Sequence, residues 1–137
     1  MTEENAQRAW HFRQLRWSLQ GLAIAGSNQR TLFPDYLMRA DELAFDFDHW
    51  ALLVRGNYGN DLSASQAESL AAIDRKFTTM SRDAAEFDVE LWTEEACRTS
   101  EHWAEVRRLA TSALEAFGWL IEVPTRTPSD RGTAFIR

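Results

Sequence analysis

One cysteine, three prolines and no long apolar run are what the 137-residue chain has little of, and each scarcity excludes something. Cys97 stands alone, so no intrachain disulfide can form and a disulfide-stapled framework is excluded. A solitary thiol suits a reducing compartment. The opening Met1-Thr2-Glu3-Glu4 is acidic and lacks an apolar signal core. The longest wholly apolar runs, such as Ala51-Leu52-Leu53-Val54, fall far short of the roughly 20 residues a membrane helix requires. The expectation is a soluble cytoplasmic protein with no membrane partner. Phosphate-cradling loops are missing too. Gly56 and Gly59 form a Gly-x-x-Gly without the Lys-Ser/Thr or the strand such a loop needs, and no Gly-x-Ser-x-Gly occurs. There is no internal repeat and no low-complexity segment.

What is present is apolar volume and acid. Hydrophobic residues make up 45% of the chain and charged residues 26%, the balance of a globular domain rather than a disordered one. Six Trp and eight Phe add large apolar volumes, most of them expected to be buried, while a few surplus aromatics often mark a partner surface. The formal net charge is −6, and residues 34–95 hold fourteen acidic groups against five basic ones. Such a surface repels phosphate backbones, which argues against direct nucleic-acid binding. It attracts a basic partner and speeds its encounter, although an acidic face also serves solubility alone.

The apolar positions keep a helical period. Leu70, Ile73, Phe77, Met80, Ala84, Phe87 and Leu91 follow alternating steps of three and four, and Ala96, Trp103, Val106, Ala110, Ala113, Phe117 and Leu120 share a second stripe. Helix one is expected over residues 3–25, with Phe12, Leu15, Leu19 and Leu22 on its stripe and Gly26-Ser27-Asn28 ending it. Phe33-Pro34-Asp35 opens helix two. Its apolar set (Leu37, Ala40, Ala44, Phe47, Ala51 and Val54) is broad, and only Asp35, Arg39, Glu42, Asp46 and His49 make a polar stripe. Helix two is therefore expected to be the most buried element. The turn-rich Gly56-Asn57-Tyr58-Gly59-Asn60-Asp61 follows it.

Ser63 or Ser65 starts helix three, each with a capping-box partner at Gln66 or Glu68. Residues 82–92 are expected to be irregular, because Phe87-Asp88-Val89-Glu90-Leu91 also alternates with a strand-like period. Thr93 caps helix four, with Ser100 a second starting point, and the helix is expected to reach about Leu120. Pro124 and Pro128 forbid its continuation. The reading is an all-α, four-helix bundle, up-down-up-down, over residues 1–121, with an extended C-terminal tail over 122–137 tethered by Phe135 and Ile136.

Three candidate chemistries can be weighed. His11, His49 and His102 fall on three expected helices, so a metal-dependent bundle enzyme is the main alternative. However, a ferritin-like site asks for Glu-x-x-His, whereas Asp46 precedes His49 and Thr99 precedes His102. Cys97 with His102 could make a nucleophile and base, but five residues apart on a helix they face different sides. In size and class the chain also resembles nucleolytic helical bundles of the HEPN type. Their motif separates Arg from His by four to six intervening residues, whereas three lie between Arg98 and His102 and two between Arg8 and His11. The expectation is a protein that is not an enzyme and uses no cofactor.

Ile73-Asp74 through Met80-Ser81, then Leu91-Trp92-Thr93, then Trp103, Val106-Arg107 and Leu109-Ala110 resemble small bacterial proteins of the toxin-immunity kind. That resemblance implies a cytoplasmic protein that masks a toxin domain, and it carries over no site residues. Together with the acidic surface it leads to the expectation of an immunity- or antitoxin-like inhibitor of a basic protein. The contact surface is expected at Asp41, Glu42, Asp46 and Asp48, joined by Asp83, Glu86, Asp88, Glu90, Trp92, Glu94 and Glu95. A self-associating structural bundle, a homo-oligomer held by surplus aromatics, is the third reading.

Overall fold

Side-chain caps set most of the boundaries in the computed structural model, which describes residues 2–25, 39–81, 84 and 87–124. Helix α1 spans Glu3–Ala23; the Thr2 hydroxyl accepts from the Asn5 amide at 3.1 Å, and Glu3 and Glu4 meet the positive end of the helix dipole. Helix α2 spans Ala40–Tyr58 and continues into a 3-10 turn at Gly59–Asp61. Helix α3, Ala64–Met80, starts on a full capping box. Gln66 N donates to the Ser63 hydroxyl at 3.0 Å, while Ser63 N donates to the Gln66 side chain at 2.9 Å. A second 3-10 turn, Val89–Trp92, leads into the short α4, Glu94–Thr99, and then α5, Glu101–Phe117. Thr93 caps α4 through the Ala96 amide, and Ser100, in extended backbone, ends α4 and caps α5 through the His102 amide. No strand occurs among the described residues.

Two boundary expectations change. Helix α2 begins at Ala40, because Arg39 is extended and its amide donates to the Glu42 carboxylate at 3.2 Å, one half of a capping box. Pro34, Asp35 and Leu37 lie outside the described residues, as do the turn at Gly26 to Asn28, Asp83, Glu86, Phe135 and Ile136. Helix α5 stops at Phe117 rather than near Leu120. Gly118 takes φ 72, the left-handed conformation that suits glycine, and Trp119 N donates back to Leu114 O at 2.9 Å. Leu120 consequently leaves the core stripe and is 69% exposed.

The four long helices among the described residues alternate in direction around one core. The start of α1 meets the end of α2 through Arg8 and Asp61, and Ala25, just past α1, meets the middle of α5 through Arg107. Gln66 at the start of α3 reaches Ala116 near the end of α5, while Lys76 near the end of α3 reaches His102 near the start of α5. Leu15, Leu19 and Leu22 of α1 pack with Phe47, Trp50 and Val54 of α2 in one apolar cluster. Leu70, Ile73 and Met80 of α3 join Trp103, Val106, Ala110 and Leu114 of α5 in the same cluster. These are the positions of the helical stripes, and the fold is the expected up-down-up-down bundle.

Among the described elements the most buried is α1, which corrects the expectation for helix two over its described part. Packed against both α2 and α5, α1 is covered on two sides, so even Gln14, Ser18 and Gln20 are buried. Ser18 donates to Leu15 O at 2.8 Å and Gln20 to Leu120 O at 3.1 Å, which supplies partners for polar groups taken out of water. Among the described residues helix α2 has one side left over, since it touches α3 far less than it touches α1.

Because Gly118 sets the end of α5, its replacement tests that assignment. Gly118→Ala should lower the unfolding free energy by about 1 kcal/mol, since a Cβ is penalised at φ 72 even where space is open. Urea denaturation reads this as a lower midpoint at an unchanged slope.

Candidate protein-docking cleft

The side of α2 that no other described helix covers carries Asp41, Phe45, Asp48, Leu52 and Arg55, spaced four, three, four and three, and all are exposed. This stripe lies one residue, or about 100° of helix rotation, from the expected one through Glu42, Asp46 and His49. Asp46 explains the turn. It is only 1% exposed, and its carboxylate accepts the Nε1 hydrogen of buried Trp50 at 3.2 Å. An acid expected at the surface is thus satisfied inside, and Phe45 (73% exposed) and Leu52 (69% exposed) face water instead.

Phe45 lies on a cleft of about 390 Å³ between α2, α3 and the Val89–Trp92 turn. Its apolar lining is Phe45, Phe47, Phe77 and Trp92, and Asp41, Asp48 and Asp74 contribute carboxylates. Phe47 and Phe77 meet at 6.2 Å between ring centroids, and Phe77 lies 6.2 Å from Trp92. Trp92 is held by its own N–H, which donates to Met80 O at 3.1 Å, and by edge-on packing against Trp103 at 5.9 Å. The aromatic wall is therefore built on core positions and is rigid where it meets the cleft.

The expected contact residues divide by location. Asp41, Asp48 and Trp92 line the cleft. Glu42 is half-buried, and Asp41 and Glu42 both pair with Arg39. Asp88 accepts from the Glu90 amide at 3.0 Å and so caps the 3-10 turn, while Glu94 and Glu95 occupy the first turn of α4. Asp88, Glu90, Glu94 and Glu95 are all exposed. Asp46 drops out of the contact surface because it is buried on Trp50. Sequence reasoning missed Phe45, Leu52 and Asp74. For Phe45 a signal existed, since it is a large aromatic that belongs to no apolar stripe of its helix.

The structure does not bring the three histidines together. His11 is buried and shares a 2.8 Å hydrogen bond with the Tyr58 hydroxyl; exposed His49 packs edge-on to Trp50 at 4.4 Å; His102 Nδ1 accepts from Lys76 Nζ at 2.8 Å. Among the described residues no group of three His, Cys, Asp or Glu side chains is placed to hold a metal ion. Nor does Cys97 pair with His102. The thiol is buried, and burial pushes its pKa from 9.0 to about 11, with Arg107 pulling the other way. A protonated thiol under a closed surface is a weak nucleophile.

No family model matches the chain, and no curated protein or solved structure matches it. No helix among the described residues is long and apolar enough to cross a membrane.

Cys97 should resist a disulfide reagent at about pH 8 in the folded protein and react at once in urea, because the thiolate is suppressed and enclosed. The raised pKa also sets a sign. Below 9.0 the thiol is protonated both folded and unfolded and the shift has no effect. From 9.0 to about 11 the unfolded chain loses the proton first, so stability falls as pH rises. Cys97→Ala should remove that part of the alkaline decline in thermal melts.

Proposed function

We propose that the chain is a non-catalytic protein-binding module that inhibits a basic partner by covering it, in the manner of an immunity or antitoxin protein. The observation that carries the reading is the aromatic cleft edged by aspartates on an exposed helix face. An exposed Phe beside a shaped apolar lining suits a partner's side chain better than it suits water. The surrounding acid supplies long-range attraction. Residues 34–95 concentrate the negative charge of the chain, and a field of one sign raises the encounter rate with a cation-rich surface, less so as salt screens it. Blocking is steric, with the acidic face laid over the partner's functional surface.

A second reading, self-association, draws on a different place. Leu120 and Ile121 are exposed beside the stacked Phe117 and Trp119 rings, 4.4 Å apart. If that patch joins two copies, Leu120→Glu should convert a dimer to a monomer in sedimentation velocity.

The inhibitor reading is tested by capture on immobilised protein from an extract of the source organism, with wild type beside an Asp48→Lys variant and an Asp88→Lys/Glu90→Lys variant. A basic protein retained at low salt, released at high salt and lost from at least one charge-reversed variant supports it. Association should slow by about tenfold or more on charge reversal. Nothing retained, or retention indifferent to both variants, overturns it.

A further inference from the structure

The polar inventory of the cleft restricts its occupant more than its shape does. Its lining contains three side-chain donors, and each is already engaged with a backbone carbonyl. Thr78 donates to Asp74 O at 2.9 Å, Ser81 to Phe77 O at 2.7 Å, and Trp92 Nε1 to Met80 O at 3.1 Å. What remains to meet a ligand is aromatic face and carboxylate oxygen. A phosphate, a carboxylate or a carbonyl-rich ligand would be stripped of water and offered no lining side-chain donor in return, which is costly. A group that brings its own donors and positive charge is offered acceptors.

Charge on the rim points the same way. Asp41 pairs with Arg39 at 3.0 Å and Asp74 with Arg55 at 3.9 Å, both at solvent-exposed sites. Exposed pairs of this kind contribute little, so an incoming ammonium or guanidinium can share or replace them at small cost. Asp48 lies between them, exposed and on the cleft.

The length of the available surface separates a peptide from a small amine. About 390 Å³ is near the lower end for a ligand pocket and holds one bulky apolar group. The exposed stripe does not stop at the cleft, however. From Asp41 to Leu52 it runs eleven residues, roughly 16 Å of helix, alternating acid and large apolar side chains. That footprint matches the face of an amphipathic segment with apolar anchors one turn apart and cations between them.

Resting on the protein-binding reading above, we propose that the α2–α3 cleft is the docking site for a cationic amphipathic peptide segment of the partner. A bulky apolar side chain of that segment inserts beside Phe45 and Trp92, and its Lys or Arg residues lie on Asp41 and Asp48.

The probe is a fluorescein-labelled synthetic 14-residue helical peptide with Leu at positions one turn apart and Lys flanking each, followed by anisotropy on the full chain. Its controls are a Lys→Glu copy, a Leu→Ala copy and 3-phenylpropylammonium as competitor. Phe45→Ala and Asp48→Asn remove exposed groups and leave the core intact; Glu101→Gln is the remote control. Expected are saturable binding by the Lys/Leu peptide only, about tenfold weaker binding to Phe45→Ala, a few-fold weaker binding to Asp48→Asn, and no change for Glu101→Gln. No binding at millimolar peptide, or binding indifferent to Phe45→Ala and Asp48→Asn, overturns the assignment. Competition by 3-phenylpropylammonium at the peptide's own affinity also overturns it and makes the cleft a small-amine site. Binding lost only in Glu94→Lys/Glu95→Lys, with Phe45→Ala and Asp48→Asn unaffected, overturns the cleft assignment, moves the docking surface to α4 and leaves the inhibitor reading standing. Cleft binding that behaves as expected, with no partner captured from extract, removes the inhibitor reading alone.

Discussion

Trp103 is the side chain on which the organisation of this bundle turns. It is fully enclosed, with Phe77 at 5.8 Å and Trp92 at 5.9 Å, and its Nε1 hydrogen is donated to Leu91 O at 2.7 Å. A buried indole N–H must find an acceptor, and the one it finds belongs to the irregular connection rather than to a helix. That bond draws the Val89–Trp92 turn against the bundle, which places Trp92 over Phe77. The wall of the cleft is therefore a consequence of satisfying one core tryptophan. Arg107 ties the same region from the other side. Its Nη1 donates to Cys97 O at 2.6 Å and to Ala25 O at 2.9 Å, joining the short α4 to the chain just past α1.

Covering α1 on two sides leaves another helix short of cover, and α2 takes that position. A helix that presents one face to the core needs an apolar stripe roughly 100° wide. The α2 sequence is apolar over a wider arc, so some of it has to face water wherever the helix is rotated. Rotation is decided by the largest side chains. Phe47, Trp50 and Val54 go inward, and Asp46, adjacent to them in the helix, goes with them because the Trp50 N–H is there to receive it. Phe45 and Leu52 are what remains outside. The exposed Phe45 accompanies the burial of Trp50, and the same rotation places Asp41 and Asp48 on its stripe.

The architecture was legible because it depends on period. Leu70, Ile73, Phe77 and Met80, then Trp103, Val106, Ala110 and Ala113, lie in the core as their spacing requires, and Ser63, Thr93 and Ser100 cap the helices they precede. The departure from the α-helix at Phe87, Asp88 and the Val89–Trp92 turn was legible from a conflict of periods. What was not legible depended on pairing between specific atoms. Reading Asp46 as a surface acid follows from polarity alone, and only the placement of Trp50 Nε1 reverses it. Leu120 fits the α5 stripe in projection, but Gly118 ends the helix first, and a glycine near a helix end can be read either as interior or as terminus. The cleft was half legible. Asp41, Asp48 and Trp92 follow from charge and position, and Phe45 from its place off every apolar stripe of its helix, whereas Asp74 depends on how α2 and α3 face each other, which no single-helix pattern contains.

In the docking proposed for the cleft, aromatic wall and acidic rim divide the work of recognition unequally. Exposed carboxylates already paired with Arg39 and Arg55 contribute little net affinity when a new cation arrives, because one screened pair is exchanged for another. Their effect is on rate and on exclusion: they hasten a basic surface and turn away an acidic one. Affinity has to come from apolar area removed from water at Phe45 and Trp92, on a wall that core packing holds in place before any partner arrives. A site so divided discriminates through cations and holds through its anchor. Salt should then erode how fast a complex forms more than how long it lasts, whichever basic partner supplies the anchor.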